Sequence, residues 1–330
     1  MKKDLSVKTC QSTISNQRLI YSAWQEFRRD KKSSYEIDKF EYSLAQNLCK
    51  LVDDIDSGTY CHGSYRRTIV SEKKRRDLAV ACVRDRVVHR LIYNQLVVLY
   101  DSTFDPDVWS CRVDKGLHKC LTRTQQLLAK YPNTCVWRMD IIKFFDCIDH
   151  AVLRTCLDRR VTDQKLLWLC DEVITSYSAT NGQAQSCGIP IGNLTSQVFA
   201  NIYLNEFDRY VRHQLKPLAY ARYGDDCILF VRTRREARYI RSRAIEFLRE
   251  KLGLALNPKN DVIVYATQGL HFLGHIITSD SVVTDRHTTR RALERVNSRN
   301  LASYKSLNLD KWSKRELNYL ALDEIEDLLH

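Results

Sequence analysis

The chain has 330 residues, enough to bury a large core in several small subdomains around one cleft, and its 52 Lys and Arg against 40 Asp and Glu leave a net charge of +12. Such an excess favours phosphate-rich partners without naming one, since ribosome-associated and membrane-surface proteins are equally basic. The 12 cysteines contain no Cys-x-x-Cys pair, which argues against a zinc ribbon or redox motif, and no apolar run suits a signal sequence or membrane span, so a soluble intracellular protein with free thiols is expected.

Residues 18–52 carry Leu19, Ala23 and Phe27, then Phe40, Leu44, Leu48 and Leu51, at three- and four-residue intervals. This spacing predicts two helices, separated by the basic run 28–32 and the capping pair Ser33-Ser34. The period then shortens. Residues 58–81 predict a hairpin with the charged run 72–77 around its tip, where basic side chains suit triphosphate oxygens as readily as they suit a solvated loop. Residues 84–100 and 115–131 predict amphipathic helices, the second ending before Pro132.

Residues 136–145 form an apolar, β-rich run with one acid in its middle. An ionised carboxylate in such a strand needs a partner or a cation, which makes Asp140 a candidate metal ligand. A period of two from Asp140 would turn Phe145 to the opposite face, so the strand has to end or bulge between them. Residues 149–177 predict helices with capping acids, and Gly192 opens a loop into a helix over 195–214.

Tyr223-Gly224-Asp225-Asp226 lies between two apolar runs, 218–223 and 227–231, and predicts a β-hairpin with Gly224-Asp225 as a type II′ turn. Alone, such a turn is equally a solvated hairpin tip. With Asp140 it offers three hard oxygen ligands from two strands, a set suited to a two-metal Mg²⁺ site, although neighbouring strand side chains face opposite ways and Asp226 either completes the site or only tunes it. A basic helix over 232–252, short strands at 254–256 and 262–265, a hairpin at 269–277, and helical texture at 286–299 and 310–329 complete the reading. His271 and His275 flank a strand-like segment and are not read as ligands.

Asp140 followed by Phe144-Phe145, then Gly188-Ile189-Pro190-Ile191-Gly192-Asn193-Leu194-Thr195-Ser196-Gln197, then Tyr-Gly-Asp-Asp, resembles the reverse transcriptases over residues 20–275. The stretch from Ile191 to Gln197, running on into 198–204, is most similar to the enzymes of diversity-generating retroelements. The resemblance implies an α+β right-hand polymerase. Its parts would be a helical extension (1–57), fingers (58–130), the first acidic palm strand (131–150), a helical insertion (151–185), a palm with the Tyr-Gly-Asp-Asp hairpin and primer grip (186–277), and a short helical thumb (278–330). The tryptophan-containing thumb motif expected of that subfamily is not found.

The resemblance further implies that Asp140, Asp225 and Asp226, with the carbonyl of Ile141, bind two Mg²⁺ ions, or Mn²⁺. Lys74 and Arg76 would meet the triphosphate, and Phe144 and Phe145 the sugar, with the Phe145 ring excluding a 2′-hydroxyl and so selecting DNA synthesis. Ile191, Gly192 and Gln197 would contact nucleotide or template. Lys259 would protonate pyrophosphate, unless 257–260 is a plain turn, and Phe272, Leu273 and Gly274 would grip the primer. The implied activity is copying of a template RNA into error-prone cDNA, with primer and dNTPs, in the cytoplasm of a bacterial, archaeal or phage-infected cell. A small basic accessory protein or a structured non-coding RNA would assist. The alternatives are a phage-defence reverse transcriptase, a maturase-like RNA-binding scaffold, and RNA synthesis in place of DNA synthesis.

Overall fold

The computed structural model describes residues 14–29, 31–71, 75–179 and 186–295. In chain order the first elements are helices α1 (Gln17–Arg28), α2 (Tyr35–Tyr42) and α3 (Leu44–Asp56), strands β1 (Arg66–Ser71) and β2 (Arg75–Val80), helices α4 (Val83–Tyr100) and α5 (Leu117–Lys130), and strand β3 (Cys135–Met139). There follow α6 (Phe144–Cys147), α7 (His150–Asp158), α8 (Gln164–Thr175), α9 (Leu194–Tyr210), β4 (Ala219–Tyr223), β5 (Asp226–Val231) and α10 (Arg234–Leu252). The last are β6 (Val262–Tyr265), β7 (Leu270–Phe272), β8 (His275–Ile277), β9 (Val282–Thr284) and α11 (Arg286–Arg295). The chain forms two compact units, one from residues 1–105, 142–210 and 246–255, the other from 106–141, 211–245 and 256–330.

The first unit is helical apart from the β1–β2 hairpin. Its α4 packs against α1, α2, α8 and α9. Accordingly its buried residues, among them Val87, Val88, Leu91, Ile92 and Leu96, fall on several faces, as a central helix requires. Full burial of each such side chain contributes about 1.5–3 kcal/mol. The predicted helical stretch 18–52 divides into three helices, because Ser43 leaves helical geometry (φ −115°) and starts α3. The capping acids of 149–177 are Asp149 and Asp163, whose carboxylates accept from the amides of Ala151 and Val152 and of Lys165 and Leu166. The charged hairpin run expected at a tip over 72–77 is shorter, since β2 already begins at Arg75.

The second unit contains a four-stranded antiparallel sheet, order β4-β5-β3-β6, and a three-stranded sheet, β7-β8-β9, together with helices α5 and α11 and most of α10. Leu121, Leu127 and Leu128 of α5 form one core with Val136, Ala219, Ala221, Ile228 and Phe230 of the first sheet and Leu270, Phe272 and Ile277 of the second. Period two explains this division, since residues 219/221 and 228/230 share one sheet face. The strand ends before Phe145, as the period of two required: β3 stops at Met139, Lys143 turns into the left-handed region (φ +46°), and Phe144 starts a helical turn. Two expectations are corrected here. Residues 254–256 contribute a single bridge, Leu256 to Ile141, and no strand. β9 was not foreseen; it adds a third strand to the hairpin expected at 269–277. The helical texture after 286 is α11 as far as residue 295, and the remainder of the expected thumb lies outside the described residues, as does Lys74. No helix among the described residues is long and apolar enough to cross a membrane.

Candidate active site

The acids converge because of strand register. β3 pairs with β5 from Cys135 opposite Val231 to Met139 opposite Cys227. Continuing that ladder by one residue sets Asp140 opposite Asp226, on the same sheet face. Asp225 precedes Asp226 in the two-residue turn between Tyr223 and Asp226, which are themselves paired. Gly224 has φ +64° and Asp225 is not among the positive-φ residues, the pattern of the expected type II′ turn. Being in a turn, Asp225 escapes strand alternation. Oxygens of Asp140, Asp225 and Asp226 all lie within 4.8 Å of one another, and all three residues are half-buried. Three carboxylates so close repel one another in a partly desolvated setting, and hard oxygen donors suit a divalent cation, so the residues present fit such an ion.

Further residues of the same unit hold these acids. The amide of Gly224 donates to the Ser110 hydroxyl (2.8 Å), and the buried Arg222 guanidinium donates to the Gly224 carbonyl (2.9 Å). The amides of Trp109 and Arg222 donate to the carbonyls of Arg222 and Asp107 (2.9 Å each), which binds residues 107–109 along β4. At Asp140, Oδ2 accepts from the side-chain amides of Asn257 (3.0 Å) and Asn260 (2.8 Å), and the Asp140 carbonyl accepts from the Asn257 amide (2.8 Å). Arg138 donates to Asn260 Oδ1 (3.3 Å) and to the carbonyl of His271. Asp261, next in the chain, accepts from Trp137 Nε1 (2.8 Å) and from Arg241. Burial alone would raise its pKa, but Arg241 and Trp137 hold its carboxyl below the ordinary range.

Sequence reasoning missed Ser110, Arg138, Asn257 and Asn260. Residues 257–260 do turn, with Lys259 N–H donating to Asn257 Oδ1 (3.2 Å), but the turn is not a plain one and leaves the expected role of the Lys259 side chain open to test. The same asparagines turn their amides to Asp140, for which the sequence carries no periodic signal. The Lys259 side chain is exposed. Ile141 is buried and bridges Leu256. In the expected primer grip, Phe272 is buried, and Leu273 (φ +52°) and Gly274 (φ +78°) form the turn between β7 and β8.

The remaining predicted site residues belong to the first unit. Phe144 is buried against Tyr203 and Phe145, whereas Phe145 is half-buried. Arg76 is a strand residue opposite Val70. Ile191 is half-buried and its carbonyl accepts from the Ala79 amide (3.3 Å), while Gly192 and Gln197 are exposed. Gly192 (φ +101°) is where the loop turns. The neighbouring Asn193 is buried and donates to the Ala79 carbonyl (2.7 Å), so the 191–193 loop is bonded on both sides to β2.

A family profile described as reverse transcriptase (RNA-dependent DNA polymerase) matches residues 66–277. Protein YkfC of Escherichia coli (strain K12) is 28% identical over 271 residues, covering 70% of this chain and 71% of that one. The group II intron-encoded protein LtrA of Lactococcus lactis subsp. cremoris is 22% identical over 331 residues, 78% of this chain and 55% of its own. Among solved structures, apo telomerase from Candida tropicalis is similar with a TM-score of 0.51 at 12% identity, covering 81% of this chain and 57% of that one. The chain thus spans little more than half the length of the intron-encoded protein and of the telomerase. The chain belongs to the reverse transcriptase family, and its residues 66–277 are an RNA-directed DNA polymerase domain of the α+β right-hand class.

Proposed function

We propose that this protein copies a template RNA into cDNA with Asp140, Asp225 and Asp226 as the ligands of two divalent ions, Mg²⁺ or Mn²⁺. The observation that carries this is the convergence of the three carboxylates within 4.8 Å from two paired strands. The chemistry a pair of such ions supplies is activation of the primer 3′-hydroxyl and stabilisation of the leaving pyrophosphate. Asp140 and Asp226 stand opposite each other at the end of the β3–β5 ladder, Asp225 adds its carboxylate from the turn, and the Ile141 carbonyl adds a neutral oxygen. Arg76 and Lys74 neutralise the triphosphate, Phe145 excludes a 2′-hydroxyl, and Ile191, Gly192 and Gln197 flank nucleotide and template. Lys259 donates a proton to the leaving group, and 272–274 hold the primer end. The division into extension, fingers, palm, insertion and thumb given above belongs to this proposal.

The finer reading, an error-prone enzyme of a diversity-generating retroelement, rests on the Ile191-to-Gln197 stretch. A template and variable repeat pair beside the gene supports it, whereas a defence island transfers the enzyme to phage defence. Asp140→Ala or Asp225→Ala should abolish primer extension on RNA with dNTPs and leave RNA affinity near that of the parent protein. Parent-like extension by either variant would remove the site assignment.

A further inference from the structure

We infer that Asn257, Asn260 and Arg138 are positioning residues that fix the Asp140 carboxylate for its ion and tie it to the β7–β8 hairpin; this rests on Asp140 being a metal ligand. Both asparagine amides donate to the same atom, Asp140 Oδ2, at 3.0 and 2.8 Å. No described residue donates to Oδ1. One oxygen is therefore saturated by protein donors, and the other is left to face the ion, which makes Asp140 a one-oxygen ligand with a fixed rotamer.

The direction of each amide is set from its far side. Asn260 Oδ1 accepts from Arg138, a group that only donates, so its Nδ2 has to be the end that meets Asp140. Asn257 Oδ1 accepts from the Lys259 backbone N–H, so its Nδ2 likewise points at the carboxylate. The turn that carries them is pinned at both ends, by the Asn257 amide on the Asp140 carbonyl and by Asp261 on Trp137 and Arg241.

Neutral donors suit this place. A lysine or arginine bonded directly to Asp140 would compete with the ion for its charge, whereas an amide orients the carboxylate and leaves the charge available. The cation stands one bond further back. Arg138 reaches Asn260 with one nitrogen and the His271 carbonyl in β7 with another, so the hairpin expected to hold the primer end shares a bonded path with the metal ligand.

The test uses the full chain with Asn257→Ala, Asn260→Ala, the double variant, Arg138→Met and, as reference, Asp140→Ala. Mn²⁺ affinity is measured without nucleic acid by the paramagnetic signal of the free ion. Extension is then followed against Mg²⁺, dNTP and primer-template concentration, with thermal unfolding in EDTA as the folding control. Loss of an outer partner typically weakens a metal site about ten- to a hundredfold. Each asparagine variant should show a tenfold or greater rise in Mn²⁺ Kd and in the Mg²⁺ needed for half-maximal extension, with kcat recovering at high Mg²⁺ and KM for dNTP unchanged. Arg138→Met should weaken Mn²⁺ binding less and raise KM for primer-template. A folded asparagine variant with parent-like Mn²⁺ affinity and Mg²⁺ requirement overturns the relay; the single variants keep this decidable if the double one fails to fold. If Asp140→Ala also leaves Mn²⁺ affinity unchanged, it is the assignment of Asp140 as a ligand that fails.

Discussion

Phe144 and Phe145 are adjacent in sequence and differ in surroundings: the first is buried on Tyr203, the second is half-buried. Only the second has ring surface to offer a sugar. Phe145→Val should raise the ratio of rNTP to dNTP incorporation at least tenfold, since about 1.4 kcal/mol of lost steric discrimination is a factor of ten. An unchanged ratio in competition assays would move the gate elsewhere. At Ile191 an aliphatic side chain offers no hydrogen bond, and apolar sites reject misfits weakly. Ile191→Gln should therefore lower misincorporation, most at template adenines, when cDNA from a defined RNA is sequenced; equal error spectra would remove the mutagenic reading. The acids were legible because a lone carboxylate in an apolar strand and a paired one at a hairpin turn each demand a reason. Asn257 and Asn260 were not. A turn accounts for asparagines completely, and their second role depends on a strand more than a hundred residues earlier in the chain.

Among elements, strands and helices were legible wherever one period persisted, as in α4, α5, β4, β5 and α10. The failures have local causes. Ser43 interrupts a helical pattern that continues across it, residues 254–256 form one bridge and no strand, and β9 is three residues long. The link between α4, α9 and the segment before β1 was also hidden. There the Thr195 hydroxyl meets His89 Nδ1 (2.5 Å), His89 Nε2 meets His62 Nε2 (3.0 Å), and His62 Nδ1 meets the Gly63 carbonyl (2.6 Å). A carbonyl only accepts, so His62 carries its proton on Nδ1. A neutral His89 donates through one ring nitrogen and accepts through the other. Burial, then the neighbouring His62, lower the His89 pKa from 6.5 to about 3. Between those values the unfolded chain binds the proton that the folded one refuses. Stability should accordingly be full above 6.5 and decline as pH falls toward 3, by up to about 1.4 kcal/mol per unit for this group. Urea midpoints at successive pH values check this, and His89→Gln should flatten the acid limb; an identical decline in the variant would assign it to other groups.

For the whole molecule, the charge of +12 is expressed in part on α10, where Arg234, Arg235 and Arg238 are exposed. RNA affinity should fall with salt and show little sequence preference. About five phosphate contacts would cost about a hundredfold in affinity on a fourfold rise in salt. A salt-independent Kd in filter binding would refute an electrostatic footing. The basic balance and the order of the motifs were legible at this scale, whereas the allocation of segments to units was not, because it depends on contacts between distant parts of the chain. The chain changes unit after residues 105, 141, 210, 245 and 255. That has a consequence for biosynthesis. The helical unit takes its last piece from 246–255, where the Leu252 carbonyl receives the Tyr203 hydroxyl (2.6 Å) and the Leu254 amide bonds back to Leu248 (2.9 Å). Neither unit is a contiguous stretch that the ribosome could finish and release to fold early: the helical one stays incomplete until residue 255 has emerged, the other until β6 to β9 have followed, and the nascent protein must remain unaggregated until then.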